Sequence, residues 1–290
     1  MKGKIIKGIG GFYTVAVTGK TVTCRAKGIF RNENIRPLIG DDVEITVSSA
    51  NPEEGTVDDI LPRRNALIRP AVANIDSALV VQAVKSPAPQ LYLLDRYLIS
   101  MERQGIPAGI VFNKCDLDPQ RAEEFCGIYR NAGYEAFAVS AKTGEGLERL
   151  REFLQGKVIA LAGPSGVGKS SLTNVICPDA DMETNVISRK IERGKHTTRH
   201  SEFFAAGENT YLCDTPGFTS VSLDEMEADE LRFAMPDLAC YEGRCRYLGC
   251  RHIAEPDCAV KAGLTEGKIS ESRYQSYKKI YDELYCLRRY

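Results

Sequence analysis

KVIALAGPSGVGKSSLTNVI, residues 157–176, decides the fold. An apolar run of strand length leads into Gly163, Pro164, Ser165, Gly166, Val167, Gly168, Lys169 and Ser170, which fit G-x-x-x-x-G-K-[ST]. Ser171 continues into a segment of helical character, so the pattern sits between a strand and a helix, the context a phosphate loop requires. The glycines let backbone N–H groups converge on phosphates, and the helix N-terminus adds partial positive charge. Lys169 is placed to reach the β- and γ-phosphates, and Ser170 to offer an oxygen to Mg²⁺. A glycine-rich turn without a ligand would leave Lys169 without a role.

Downstream, TYLCDTPG (residues 210–217) runs from an apolar strand into Asp214-Thr215-Pro216-Gly217, one strand after the phosphate loop. An Asp at a strand end can hold Mg²⁺ through water, and the Gly217 amide can sense a γ-phosphate. Between them RKIERGKHTTRH, residues 189–200, is too charged for a buried element and reads as a loop. Its threonine would complete the Mg²⁺ shell, with Thr198 the first choice and Thr197 the second. Where Ras-like enzymes place a water-orienting glutamine after D-x-x-G, this chain has Phe218, so slow intrinsic hydrolysis is expected. His196 is the nearest catalytic candidate, orienting water through a neutral imidazole; the alternative is a solvated loop histidine.

Upstream, Asn113-Lys114-Cys115-Asp116 follows the run IPAGIVF, and Ser140-Ala141-Lys142 follows YEAFAV. Each sits at a strand's carboxyl end, where open α/β sheets bind ligands. A carboxylate at Asp116 accepts from N1–H and the exocyclic amine of guanine, which adenine lacks, while the Ala141 amide can donate to O6. All seven residues are candidate GTP contacts. Ras-type GTPases run phosphate loop, threonine loop, D-x-x-G, N-K-x-D, S-A-K. Here the last two precede the first three, the order of a circularly permuted GTPase.

Around these motifs, apolar runs alternate with helical periods from Ser77 onward: SALVVQAV, a helix over LYLLDRYLISMERQ, one from Pro119 and one near Leu147. That is βαβ repetition with a mostly parallel sheet. Before it, β-branched alternation marks strands at Lys2–Ile9, Phe12–Val17, Thr21–Ala26, Val43–Val47 and Thr56–Leu61, which suit a small OB-type or SH3-like barrel. Arg63, Arg64 and Arg69 on the exit linker read either as RNA contacts or as a solvated hinge. Near the end, Tyr277, Ile280, Tyr281, Leu284 and Leu287 form an apolar helical stripe.

The 290 residues carry a net charge of -1 with 43% hydrophobic and 27% charged residues, which excludes collagen-like, strongly basic and acidic disordered classes. The near-zero charge is a cancellation. Residues 1–69 hold eleven Lys+Arg against eight Asp+Glu, 70–239 hold 17 against 24, and 240–290 hold ten against seven. Any polyanion would be met by the ends. With no signal-peptide core and no membrane-length apolar run, the expected location is the cytoplasm, without membrane contact, and the expected state a monomer.

Ten cysteines in a chain without a leader suggest thiols or metal ligands rather than disulfides. Cys245, Cys250, His252 and Cys258 give C-x₄-C-x-H-x₅-C, a closed tetrahedral set for one structural Zn²⁺. The competing set uses Cys240 in place of His252. Arg244, Arg246 and Arg251, beside Tyr241 and Tyr247, could read RNA phosphates and bases.

The barrel, the order NKCD, SAK, GPSGVGKSS, HTT and DTPGF, and CRYLGCRH followed by Cys258 together resemble the bacterial ribosome small subunit-dependent GTPase A family along essentially the whole chain. The resemblance implies an OB-fold domain (1–69), a circularly permuted GTPase domain (70–226) and a small helical zinc-binding domain (227–290). It also implies GTP hydrolysis with Mg²⁺, stimulated by the small ribosomal subunit, contact with its rRNA, and a late maturation role that includes release of assembly factors. His196 is then the carried-over catalytic position. A guanylate-kinase-like enzyme, which would share the phosphate loop, has no need of Asn113-Lys114-Cys115-Asp116 or the cysteine cluster. An RNA-binding scaffold with incidental turnover is the other alternative.

Overall fold

The structure, a computed structural model, describes residues 1–28, 30, 35–67, 71–177, 180, 202–214, 222–223 and 225–287. In chain order the strands are β1 (Lys2–Ile9), β2 (Phe12–Val17), β3 (Lys20–Ala26), β4 (Asp42–Val47), β5 (Glu54–Ile60), β6 (Ala66–Leu67), β7 (Val72–Ala73), β8 (Ser77–Ala83), β9 (Ala108–Asn113), β10 (Glu135–Ala138), β11 (Val158–Ala162), β12 (Glu202–Gly207) and β13 (Thr210–Asp214). The helices are α1 (Leu91–Arg103), α2 (Pro119–Asn131), α3 (Leu147–Leu154), α4 (Lys169–Ile176), α5 (Pro236–Ala239), α6 (Ala259–Thr265) and α7 (Glu271–Leu287), with 3-10 turns at Cys115–Leu117 and Ala228–Phe233. Two compact units result, one drawn from Met1–Ser77, Arg151–Ala162 and Lys169–Phe218, the other from Ala78–Leu150, Gly163–Gly168 and Thr219–Tyr290.

In the first unit β1 pairs antiparallel with β2 and β4, β2 with β3, β4 with β5, and β3 runs parallel to β5. The order 1-2-3-5-4 therefore closes on β1 as an OB-type barrel. Strand alternation sends Ile5, Val15, Val22, Val43, Ile45 and Val57 inward, none more than 1% exposed. On the outside Phe12 lies opposite Arg25, whose guanidinium is 4.6 Å from the ring centroid. A bulge between Ile5 and Lys7 bends β1, and Lys7 comes opposite Glu202 of β12, ammonium to carboxylate 2.7 Å.

β12 is antiparallel to β13, and β13 is parallel to β11. Among the described residues, β12 precedes β13 after the G-x-x-x-x-G-K-S loop, so the strand ending at Asp214 is not the first to follow it. β12 was hidden because only its Phe203 is buried, so it makes no apolar run.

Two of the linker arginines hold ion pairs, Arg63 with its side chain 30% exposed and Arg64 with 61% exposed. Arg63 chelates the fully buried Asp41 at 2.7 and 2.9 Å and donates to the Arg36 carbonyl at 2.8 Å. A buried carboxylate stripped of its cation is costly, so Arg63 serves the barrel. Arg64 reaches Asp76 at 2.7 Å, and Asp76 in turn accepts from the Val158 amide of β11 at 2.8 Å. Arg69 lies outside the described residues.

In the second unit β8, β9 and β10 run parallel in the order 10-9-8, and every residue of β8 is buried, as a strand covered on both faces must be. α5, α6, α7 and the turn at Ala228–Phe233 enclose an apolar core of Leu231, Met235, Leu238, Val260, Tyr277 and Ile280, joined by Ile99 of α1. Of the expected stripe, Tyr277, Ile280, Tyr281 and Leu284 are buried; Leu287, 59% exposed, ends it early. No described helix is long and apolar enough to cross a membrane.

Candidate nucleotide site and metal centre

Asn113 ends β9 and is 2% exposed. Its Nδ2 donates to the Val167 carbonyl at 2.9 Å, and its Oδ1 accepts from the amides of Lys114 at 2.8 Å and Ala141 at 3.1 Å. One amide side chain thereby joins the N-K-x-D strand end, the S-A-K loop and the G-x-x-x-x-G-K-S loop, three segments distant in sequence. Lys114, in the left-handed region at φ 63°, sends its ammonium to the carbonyls of Ser86 and Gly166, the latter at 2.8 Å. Ser86 carried no sequence signal.

The loop glycines are dictated by this crowding. A Cβ on Gly163, at φ 140°, would lie 2.2 Å from the Val81 carbonyl oxygen, and one on Gly168, at φ 93°, 2.3 Å from Asn113 Nδ2. Val167 is buried and pins the loop, Pro164 and Gly168 are half-buried, and Ser165 and Gly166 are exposed.

The half-buried Asp116 lies in the Cys115–Leu117 turn. Cys115 faces inward: its amide bonds the Val139 carbonyl at 3.0 Å, and burial pushes its thiol up to about 11. Ser140 is fully buried and its hydroxyl accepts from the Thr143 amide at 3.2 Å, shaping the turn, while Lys142 is exposed. The Ala141 amide, expected to donate to O6, donates to Asn113 Oδ1 at 3.1 Å.

Lys169, Ser170 and Ser171 open α4, all half-buried. Asp214 closes β13, with its backbone opposite Leu161 and Glu202. His196, Thr197, Thr198, Gly217 and Phe218 lie outside the described residues.

The ligand atoms of Cys245, Cys250, His252 and Cys258 lie within 4.8 Å of one another. Cys245 Sγ is 3.9 Å from Cys258 Sγ, and His252 Nδ1 is 3.3 Å from Cys258 Sγ and 3.6 Å from Cys245 Sγ. Thiolates about 2.3 Å from a tetrahedral Zn²⁺ stand roughly 3.8 Å apart, close to the spacing of Cys245 and Cys258, so the donor set suits zinc. Cys240 is excluded from the group: it is exposed, with its thiol on the Asp237 carbonyl at 3.4 Å. Burial raises the Cys250 thiol to about 12 and lowers the His252 imidazole, so a metal must displace thiol protons but finds the ring neutral. Tyr274 and Tyr277 of α7 clamp the loop, their hydroxyls donating to the carbonyls of His252 at 2.8 Å and Arg251 at 2.6 Å. The helical stripe signalled Tyr277 as packing; its hydroxyl's task was not legible. Arg244, Arg246 and Arg251 lie 5.7, 5.6 and 6.0 Å from the rings of Tyr241, Tyr247 and Tyr285. Arg246 is also paired with Asp257 at 2.7 Å and Arg251 with Asp229 at 3.2 Å.

The family model for the RsgA GTPase matches residues 60–224, and that for the RsgA N-terminal domain matches residues 2–57. The chain belongs to the RsgA GTPase family. It is therefore a GTP hydrolase, and the kinase alternative falls away. The small ribosomal subunit biogenesis GTPase RsgA of Agathobacter rectalis is 50% identical over 302 residues, with all of both chains covered. That of Alkaliphilus metalliredigens is 44% identical over 290 residues, covering 100% of this chain and 99% of the relative. Among solved structures, YloQ, described as a circularly permuted GTPase, is 34% identical with a TM-score of 0.78 over 98% of this chain and 94% of its own. YjeQ from Thermotoga maritima is 34% identical with a TM-score of 0.80 over 98% of each chain. The chain combines an OB-like barrel with a circularly permuted GTPase domain, and its C-terminal cysteine–histidine cluster is able to bind zinc.

Proposed function

We propose that this GTP hydrolase binds the small ribosomal subunit and assists its late maturation, hydrolysing GTP slowly alone and faster on the subunit, with release of assembly factors. The observation that carries this reading is kinship along the full chain, barrel and zinc cluster included, with proteins named for biogenesis of that subunit. Charge supports it: the basic excess lies in residues 1–69 and 240–290. Each end also exposes an aromatic ring beside a guanidinium, Phe12 with Arg25 and Tyr247 with Arg246, a pairing suited to unstacked RNA bases and phosphates.

In this reading the domains are 1–69, 70–226 and 227–290, and the protein works as a cytoplasmic monomer. Asp116 and Ala141 read guanine, and Asn113, Lys114, Cys115, Ser140 and Lys142 hold that reader in shape. The amides of Gly163 and of residues 165–168, with Lys169 and Ser171, take the phosphates, and Pro164, which has no N–H, lines the loop. Ser170, Thr198 and Asp214 surround Mg²⁺, Gly217 senses the γ-phosphate, and His196 orients water. Zinc held by Cys245, Cys250, His252 and Cys258 is structural, since four protein ligands leave no open position.

Sedimentation of the protein with purified small subunits in a non-hydrolysable GTP analogue and in GDP tests the reading. Retention in the analogue and loss in GDP is expected. Equal retention in both states would remove the switch, and no retention in either would remove the partner.

A further inference from the structure

The largest fully buried side chain of the C-terminal helices is a charged one. Arg273 of α7 is 1% exposed, and its guanidinium forks between two buried carboxylates. It donates to Asp237 through Nε at 3.0 Å and Nη2 at 2.5 Å, and to Asp95 of α1 through Nη1 at 2.7 Å. The same Asp95 oxygen accepts from the Tyr129 hydroxyl of α2 at 3.0 Å. The Tyr129 ring lies under the guanidinium at 5.6 Å and against Phe112 at 5.9 Å, and Phe112 immediately precedes Asn113. A second route starts from α1: the segment between β8 and α1 is held to the base-reading motif by the Val84 amide on the Asn113 carbonyl at 2.9 Å and by Lys114 on the Ser86 carbonyl.

We propose that Arg273 is a positioning residue for guanine recognition: through Asp95, Tyr129 and Phe112 it sets the placement of Asn113 and Asp116, so that docking of the C-terminal helices and affinity for the guanine nucleotide are coupled. The inference rests on the assignment of Asn113 to Asp116 as the base reader. Its physical basis is the close packing of every link. Burial pushes the Asp95 carboxyl up and Arg273 opposes that shift, so removing the cation changes the charge that Tyr129 faces. A packed interior answers such a change by moving its neighbours rather than absorbing it. Coupling is reciprocal: whatever loosens the nucleotide when Arg273 is altered must loosen the C-terminal helices when the nucleotide leaves.

The test uses the full-length, zinc-loaded protein, with release of a fluorescent GDP followed by stopped flow and competition by GDP and by IDP, which lacks the exocyclic amine. Arg273→Met is expected to speed release about tenfold, within the range of ordinary coupling energies, and to shrink the preference for GDP over IDP. Arg273→Lys, which retains the charge but not the fork, falls between. Tyr129→Phe removes only a hydroxyl and decides the matter should Arg273→Met fail to fold: release about threefold faster with a reduced preference is expected. A simple loss of stability lowers the active fraction and leaves both the rate and the preference of the folded molecules unchanged. Tyr129→Phe with wild-type release and preference overturns the inference. A wild-type protein that holds IDP as tightly as GDP overturns the base-reader assignment beneath it as well.

Discussion

Replacing Asn113 by Ala removes three hydrogen bonds at a position with 2% exposure: one given to Val167 and two received from Lys114 and Ala141. Each is worth about 1 kcal/mol net, so the three total about 3 kcal/mol. The freed amide of Ala141 and carbonyl of Val167 belong to the loops proposed to hold the nucleotide, so most of the loss should fall on binding. About 3 kcal/mol corresponds to roughly a 100-fold rise in the Kd for GDP. Titration calorimetry of wild type and Asn113→Ala measures the binding share, and a thermal melt without nucleotide measures the remainder. A Kd within twofold of wild type, with an unchanged melt, would show that the three loops align without Asn113 and would refute the reasoning.

Arg63→Ala leaves Asp41 buried without its cation, and the loss of two charge-assisted bonds should cost the full-length protein about 2–3 kcal/mol in urea unfolding followed by a barrel probe. Cys250→Ser should release zinc that wild type retains through gel filtration, seen by atomic absorption, and should expose Tyr277 and its neighbours as increased dye binding. Asp58 has its carboxyl lowered by hydrogen bonds from Lys27 and Thr46, so its ionised form stabilises the fold above the unfolded value of about 4, and this contribution fades as pH falls through the folded value. Asp58→Asn should therefore lower the urea midpoint at pH 7, and the difference from wild type should shrink as pH falls below the unfolded value of about 4 and vanish below the folded one.

The elements that were legible in the sequence are those whose physics is local. The five barrel strands appear within two residues of expectation because each alternates β-branched residues between two faces, and the nucleotide loops are readable because glycine and amide spacing is set by phosphate and base geometry. The tasks of Arg63 and Arg273 were not legible. Each is a cation in a polar stretch, and the carboxylates that claim it are 22 residues away for Arg63 and 178 and 36 residues away for Arg273. β12 was missed for a related reason: its pairing with β1 joins Lys7 to Glu202 across 195 residues and leaves no apolar run. For the metal centre, spacing left Cys240 and His252 in competition. The left-handed turn at His252, φ 60°, accompanies a ring turned toward the thiols, a choice that only the folded loop displays.

The account stands most directly on GTP turnover by the intact protein measured with and without purified small ribosomal subunits. A slow basal rate that rises at least tenfold with subunits, and falls back when large subunits are substituted, is the expected result. A rate that is the same with small subunits, large subunits or neither would contradict it.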